Sequence, residues 1–146
     1  MATEVLRGGC LCGTVTYEVE SPFLRFAHCH CSRCRRATGS SHASNLYVVP
    51  KQFRWISGED SVKRYDLPSA RSFSTTFCSG CGAPLPHHTR SRLEIVVPAG
   101  SLEEEPELEP QAHIFFESRS GWSCLNRKLP QFREYTDNWS SEPAAS

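Results

Sequence analysis

Val15, Tyr17 and Val19 alternate with Thr14, Thr16, Glu18 and Glu20, the period-two pattern of a strand that buries one face. Ser21-Pro22 ends it, and Phe23 to His28 reads as a second extended piece running into a dense group of thiols. Further strands are predicted over Ala43 to Val49, closed by Pro50, and Phe53 to Ile56, closed by the Gly58-Glu59-Asp60 turn. Val62 to Leu67 and Ser72 to Phe77 follow, separated by Pro68-Ser69, and Leu93 to Val97 ends at Pro98-Ala99-Gly100. Ala112 to Glu117 is the last clear strand, while Pro84 and Pro86 restrict their segment to an edge or irregular strand. One short helical turn is expected, with Ser32 as N-cap, Arg33 to Thr38 as its body and Gly39 as its stop.

Ser101 to Pro110 carries Glu103, Glu104, Glu105, Glu107 and Glu109 and reads as a solvated loop. Trp122 and Phe132 are expected to cap the core, and residues 136–146, rich in Ser, Glu, Pro and Ala, to form a loose tail. No repeat or long amphipathic helix interrupts this pattern. The fold class is therefore mainly β, with one compact domain over residues 1–135.

At 146 residues the chain suits a single domain with a modest core. Lys plus Arg total 16 and Asp plus Glu total 16, so no net field draws it to nucleic acid or an anionic membrane. No apolar run approaches the roughly 18 residues of a membrane span, and Met1 to Gly9 lacks the apolar core of a secretory signal. A soluble, cytoplasmic protein is expected, with no membrane or nucleic-acid partner.

Composition changes this picture through cysteine. The eight cysteines fall as C-x-C (Cys10, Cys12), C-x-C-x-x-C (Cys29, Cys31, Cys34), C-x-x-C (Cys78, Cys81) and a single Cys124. A reducing compartment and such close spacing favour metal chelation over disulfides. Successive strand residues point to opposite sides, so Cys29 and Cys31 can share one ion only where the backbone bends, and the following C-x-x-C step supplies that bend. Zn²⁺ takes thiolates at about 2.3 Å in tetrahedral geometry, and three protein ligands leave one position open. Ligand counting joins Cys10 and Cys12 to Cys78 and Cys81 as a closed four-thiolate site that staples strands. The opposite partition, with Cys78 and Cys81 completing the central cluster, orphans Cys10 and Cys12. Gly80 and Gly82 suit the tight reversal of a zinc knuckle. Cys124 reads as a small buried residue.

Taken together, four segments resemble the family of the glutathione-dependent formaldehyde-activating enzyme (Gfa) and centromere protein V. They are Gly9-Cys10-Leu11-Cys12-Gly13, Cys29-His30-Cys31-Ser32-Arg33-Cys34-Arg35 with Gly39, Phe77-Cys78-Ser79-Gly80-Cys81-Gly82, and His113-Ile114 with Trp122. The resemblance spans residues 7–135. It implies several coiled antiparallel β-sheets and two zinc ions per chain, with Cys10, Cys12, Cys78 and Cys81 structural and Cys29, Cys31 and Cys34 catalytic. It also implies carbon–sulfur lyase chemistry: a glutathione-like thiol adds to formaldehyde or a similar small aldehyde, giving S-hydroxymethylglutathione.

The residues suit that chemistry. A substrate thiol held on the metal is kept as thiolate, which is the nucleophile, and His30 or His113 is a candidate donor to the nascent hydroxymethyl oxygen. Packing or support of the ligands is the plainer role for His28 and His30, which flank Cys29 and point away from it in a strand. His42, His87 and His88 read as surface residues. Arg33, Arg35 and Arg36 lie beside the open site, where guanidinium forks can receive the carboxylates of glutathione. Two other classes compete with the enzyme: a zinc-stapled binding module for protein or chromatin, and a thiol redox sensor built on Cys29, Cys31 and Cys34.

Overall fold

The computed structural model describes residues 3–123 and 128–136. Among them the chain forms β1 (Val5–Gly9), β2 (Thr16–Glu20), β3 (Arg25–Cys29), α1 (Ser32–Thr38), β4 (Ala43–Val48) and β5 (Phe53–Ser57). There follow β6 (Val62–Asp66), β7 (Ser74–Cys78), β8 (Pro84–Leu85), β9 (His87–His88), β10 (Ile95–Pro98) and β11 (Ala112–Ile114). They make three sheets, ordered β1-β2-β5, β11-β3-β4-β10-β9 and β6-β7-β8. Every pairing is antiparallel except β11 with β3, which run parallel with His113 beside His28 and Ile114 beside Cys29. The mainly β expectation holds.

The main core fills the space between the first two sheets. Leu6, Tyr17 and Val19 meet Phe26, Leu46, Val48, Ile95 and Val97, all nearly inaccessible to water. Burying each such side chain stabilises the fold by about 1.5–3 kcal/mol. Because strand side chains alternate, the opposite face of the middle sheet carries Arg25, Cys29, Ala43, Asn45, Tyr47 and Val96. That second face opens onto a cleft.

Several local expectations change. Cys31, not Ser32, caps α1, its sulfur accepting the Cys34 amide hydrogen at 3.3 Å. The thiol takes the place a serine hydroxyl would occupy. Gly39 ends the helix as foreseen, at φ 66°, and donates to the Arg35 carbonyl. Trp122 and Phe132 do not cap the core: they are 58% and 55% exposed. The acidic loop is strapped to β1 rather than free, since Glu104 accepts from both the Arg7 amide and guanidinium, and Leu102 and Leu108 pack on the core. The predicted tail from residue 137 onward, and Cys124, lie outside the described residues.

Candidate metal centres and the cleft

Two thiol groups converge, and their surroundings differ. Cys10 and Cys12 follow β1, whereas Cys78 and Cys81 bracket the turn after β7, so chain segments 66 residues apart meet. All four sulfurs lie within 4.8 Å of one another. Cys12 Sγ is 3.6 Å from Cys10 Sγ and 3.9 Å from Cys78 Sγ, close to the roughly 3.8 Å edge of a tetrahedral zinc–thiolate site. Backbone amides of Val15 and Gly80 donate to Cys10 and Cys78 sulfur, both at 3.3 Å. Hydrogen bonding by Thr14, from side chain and backbone, brings the Cys12 thiol down to about 6. Gly82 turns the knuckle at φ 75°, a conformation costly to other residues. Val15 and Leu85 complete a buried cluster around this centre. Such a donor set fits Zn²⁺ and is closed by its own four sulfurs.

The second group sits where β3 meets α1. Cys29, Cys31 and Cys34 bring three sulfurs within 4.8 Å of one another, and all three line a cleft of about 1000 Å³. None of the four staple cysteines lines it. Hydrogen bonding from Cys34, opposed by burial, holds the Cys29 thiol down to about 6, while the same bond and burial push Cys34 up. A divalent ion binding here would displace the remaining thiol protons. Phe73, from the segment before β7, and Ile114, from β11, pack against the trio. The donor set fits zinc with three protein ligands.

The histidines gather behind the sheet. His28 points opposite to Cys29 and meets Ser44 Oγ at 3.0 Å, with the His42 ring 4.3 Å away. His30 is inaccessible to water; its Nε2 pairs with His113 Nδ1 at 2.9 Å and its amide donates to the Ile114 carbonyl. Burial, then the neighbouring histidines, lower the pKa of His28 and His30. Neither His30 nor His113 is among the residues lining the cleft; the described contacts of His30 are with His113 and the Ile114 carbonyl. His42, His87 and His88 are half-buried instead of surface residues. His87 lines the cleft, with burial bringing it down to about 4.

Of the three arginines singled out in the sequence, Arg33 lines the cleft; Arg35 is half-buried and Arg36 exposed on α1 away from it. The sequence reading missed Arg25, Tyr47, Phe73, Arg90 and Glu94, all of which line the cleft. Arg25 and Tyr47 share the Cys29 face by strand alternation, a signal available once β3 and β4 are paired. Arg90 donates to the carbonyls of Leu67, Ala70, Arg71 and Phe73 and so fixes the segment that carries Phe73. Its role is invisible without the fold.

Fold and sites together define a β protein with one closed four-thiolate centre and one three-thiolate centre open to a cleft. The chain belongs to the glutathione-dependent formaldehyde-activating enzyme family, whose sequence profile matches residues 5–118. A Halomonas elongata protein, provisionally named a glutathione-dependent formaldehyde-activating enzyme, is 29% identical over 128 residues, spanning 81% of this chain and 79% of that one. The crystal structure of a Rhodobacter sphaeroides protein superposes with a TM-score of 0.59 at 28% identity, covering 73% of this chain and 98% of its own. No helix among the described residues is long and apolar enough to cross a membrane.

Proposed function

We propose that the protein is a zinc-dependent carbon–sulfur lyase-type enzyme that joins a glutathione-like thiol to formaldehyde or a similar small aldehyde in the cytoplasm. One observation carries this reading: of two thiol groups able to hold a metal, only Cys29, Cys31 and Cys34 open onto a cleft large enough for a peptide-sized ligand. Cys29, Cys31 and Cys34 would hold the zinc ion, which when bound would accept a substrate thiol at its open position and favour the thiolate. The thiolate lone pair adds to the aldehyde carbon as the carbonyl π pair moves to oxygen. That oxygen takes from solvent one proton in place of the one the thiol released to solvent, so thiol plus aldehyde gives the hydroxymethyl adduct with no net gain or loss of protons. Phe73 and Ile114 shield the sulfurs from bulk water, and Arg33 offers a guanidinium to a substrate carboxylate. Behind the sheet, His30 fixes the ligand loop through His113.

The test is a panel of thiols and aldehydes followed by NMR, comparing the zinc-loaded protein with Cys31→Ser. Acceleration by the parent protein alone is expected. Absence of acceleration for every pair would favour a binding module. A disulfide among Cys29, Cys31 and Cys34 in freshly isolated protein would favour redox sensing.

A further inference from the structure

Along the same face of the middle sheet as the thiol trio stands an ion pair that the proposed chemistry does not use. Arg25 donates from both terminal nitrogens to the two Glu94 oxygens, each at 2.8 Å, and its guanidinium lies 4.0 Å above the centre of the Tyr47 ring. All three residues line the cleft. We propose that Arg25, Tyr47 and Glu94 form a recognition site for a free α-amino-acid head group, so that the enzyme selects thiols carrying such a zwitterion at their far end. The proposal rests on the thiol-addition reading above.

Unspent hydrogen-bonding capacity is the first reason. A guanidinium has five N–H donors and each carboxylate oxygen two lone pairs. The pair consumes two donors and one lone pair per oxygen, leaving three donors on Arg25 and an acceptor site on each Glu94 oxygen. Neither side chain is sealed off: Arg25 is 48% exposed and Glu94 26%. The Tyr47 hydroxyl has no partner among the described residues, whereas that of Tyr17 meets Ser101 at 2.5 Å. A free phenol beside a guanidinium is a second donor to a carboxylate.

Charge selects the ligand class. Arg25 and Glu94 together are neutral, so a simple anion meets Glu94 and a simple cation meets Arg25, each at a cost. A zwitterion satisfies both, with its carboxylate on Arg25 and Tyr47 and its ammonium on Glu94. Spacing agrees. Cys29 pairs with Ala43 and Arg25 with Tyr47, so four strand residues, roughly 13 Å, separate the trio from the pair. Inward reach of Tyr47 and Arg25 leaves room for an arm of about two residues at 3.3–3.6 Å each. As a strap between β3 and the residue preceding β10, a part-exposed pair of this kind adds little to stability.

The experiment compares three thiols with formaldehyde on zinc-loaded protein: glutathione, γ-glutamylcysteine and glutathione acetylated on its amine. Acetylation is expected to raise KM about tenfold or more, the size of one charge-assisted hydrogen bond, with kcat little changed. γ-Glutamylcysteine should match glutathione. Glu94→Gln should erase the penalty for acetylation, and Tyr47→Phe, which keeps the ring under Arg25, should raise KM for the unacetylated thiols. Equal KM for free and acetylated glutathione, or a penalty that survives Glu94→Gln, overturns the proposal. Binding of S-methylglutathione and its N-acetyl form, read from Tyr47 ring shifts by NMR, decides the matter without turnover. If wild type accelerates no thiol yet prefers the free amine in binding, the enzyme reading fails and this site stands.

Discussion

The two thiol centres use the same ligand chemistry for opposite ends. Cys10, Cys12, Cys78 and Cys81 join strands distant in sequence, satisfy a tetrahedron among themselves and lie outside the cleft. Cys29, Cys31 and Cys34 come from six consecutive residues and hold little together that the backbone does not already hold. They face the cleft. Structural value follows from how much chain a site closes, and chemical value from the coordination position it leaves free.

Cys78→Ser breaks this comparison most heavily. Structural zinc supplies about 10–16 kcal/mol of apparent binding energy in small domains, as much as the whole stability of an ordinary fold, about 5–15 kcal/mol. Circular dichroism should show an unfolded or molten chain. Cys31→Ser should instead lower the metal content from two zinc ions to one and abolish turnover while the melting curve stays cooperative. Serine is a good helix cap, so α1 survives the change. Elemental analysis beside a thermal melt separates the two outcomes; loss of fold in both variants would make the second centre structural as well.

A smaller effect is expected behind the sheet. His113→Ala leaves His30 Nε2 buried without a partner, a cost of about 1–3 kcal/mol. Urea unfolding should register it with both zinc ions retained. The smallest effect concerns His87 on the cleft wall, which takes a proton near 6.5 when unfolded and near 4 when folded, because burial disfavours its charge. The unfolded chain then binds more protons, so stability falls as pH drops from 6.5 toward 4 and is unaffected above that window. The difference in urea midpoint between the parent and His87→Gln should be independent of pH above 6.5 and shift in the parent's disfavour below it.

Much of this was legible beforehand. Period-two alternation placed Val15, Tyr17 and Val19 in the core, and cysteine spacing separated four thiols from three. β1 escaped notice because Val5 to Gly9 offers only Leu6 and Gly8 as buried positions. The cap on α1 was displaced by one residue because a thiol does the work usually given to serine. Alternation around Cys29 turns His28 and His30 to the other side of the strand, which agrees with the contact of His30 with His113. The cleft itself was illegible: it arises where β7 and the Arg90-pinned segment face β4, and such long-range pairing leaves no local mark in the sequence.

The most direct measurement replaces zinc by cobalt and follows the sulfur-to-cobalt absorption as glutathione is added. One of the two ions should gain a thiolate ligand and change its spectrum in the parent protein, and the response should disappear in Cys31→Ser. A spectrum unmoved by glutathione, with both cobalt ions bound, would contradict an open position at the three-thiolate centre.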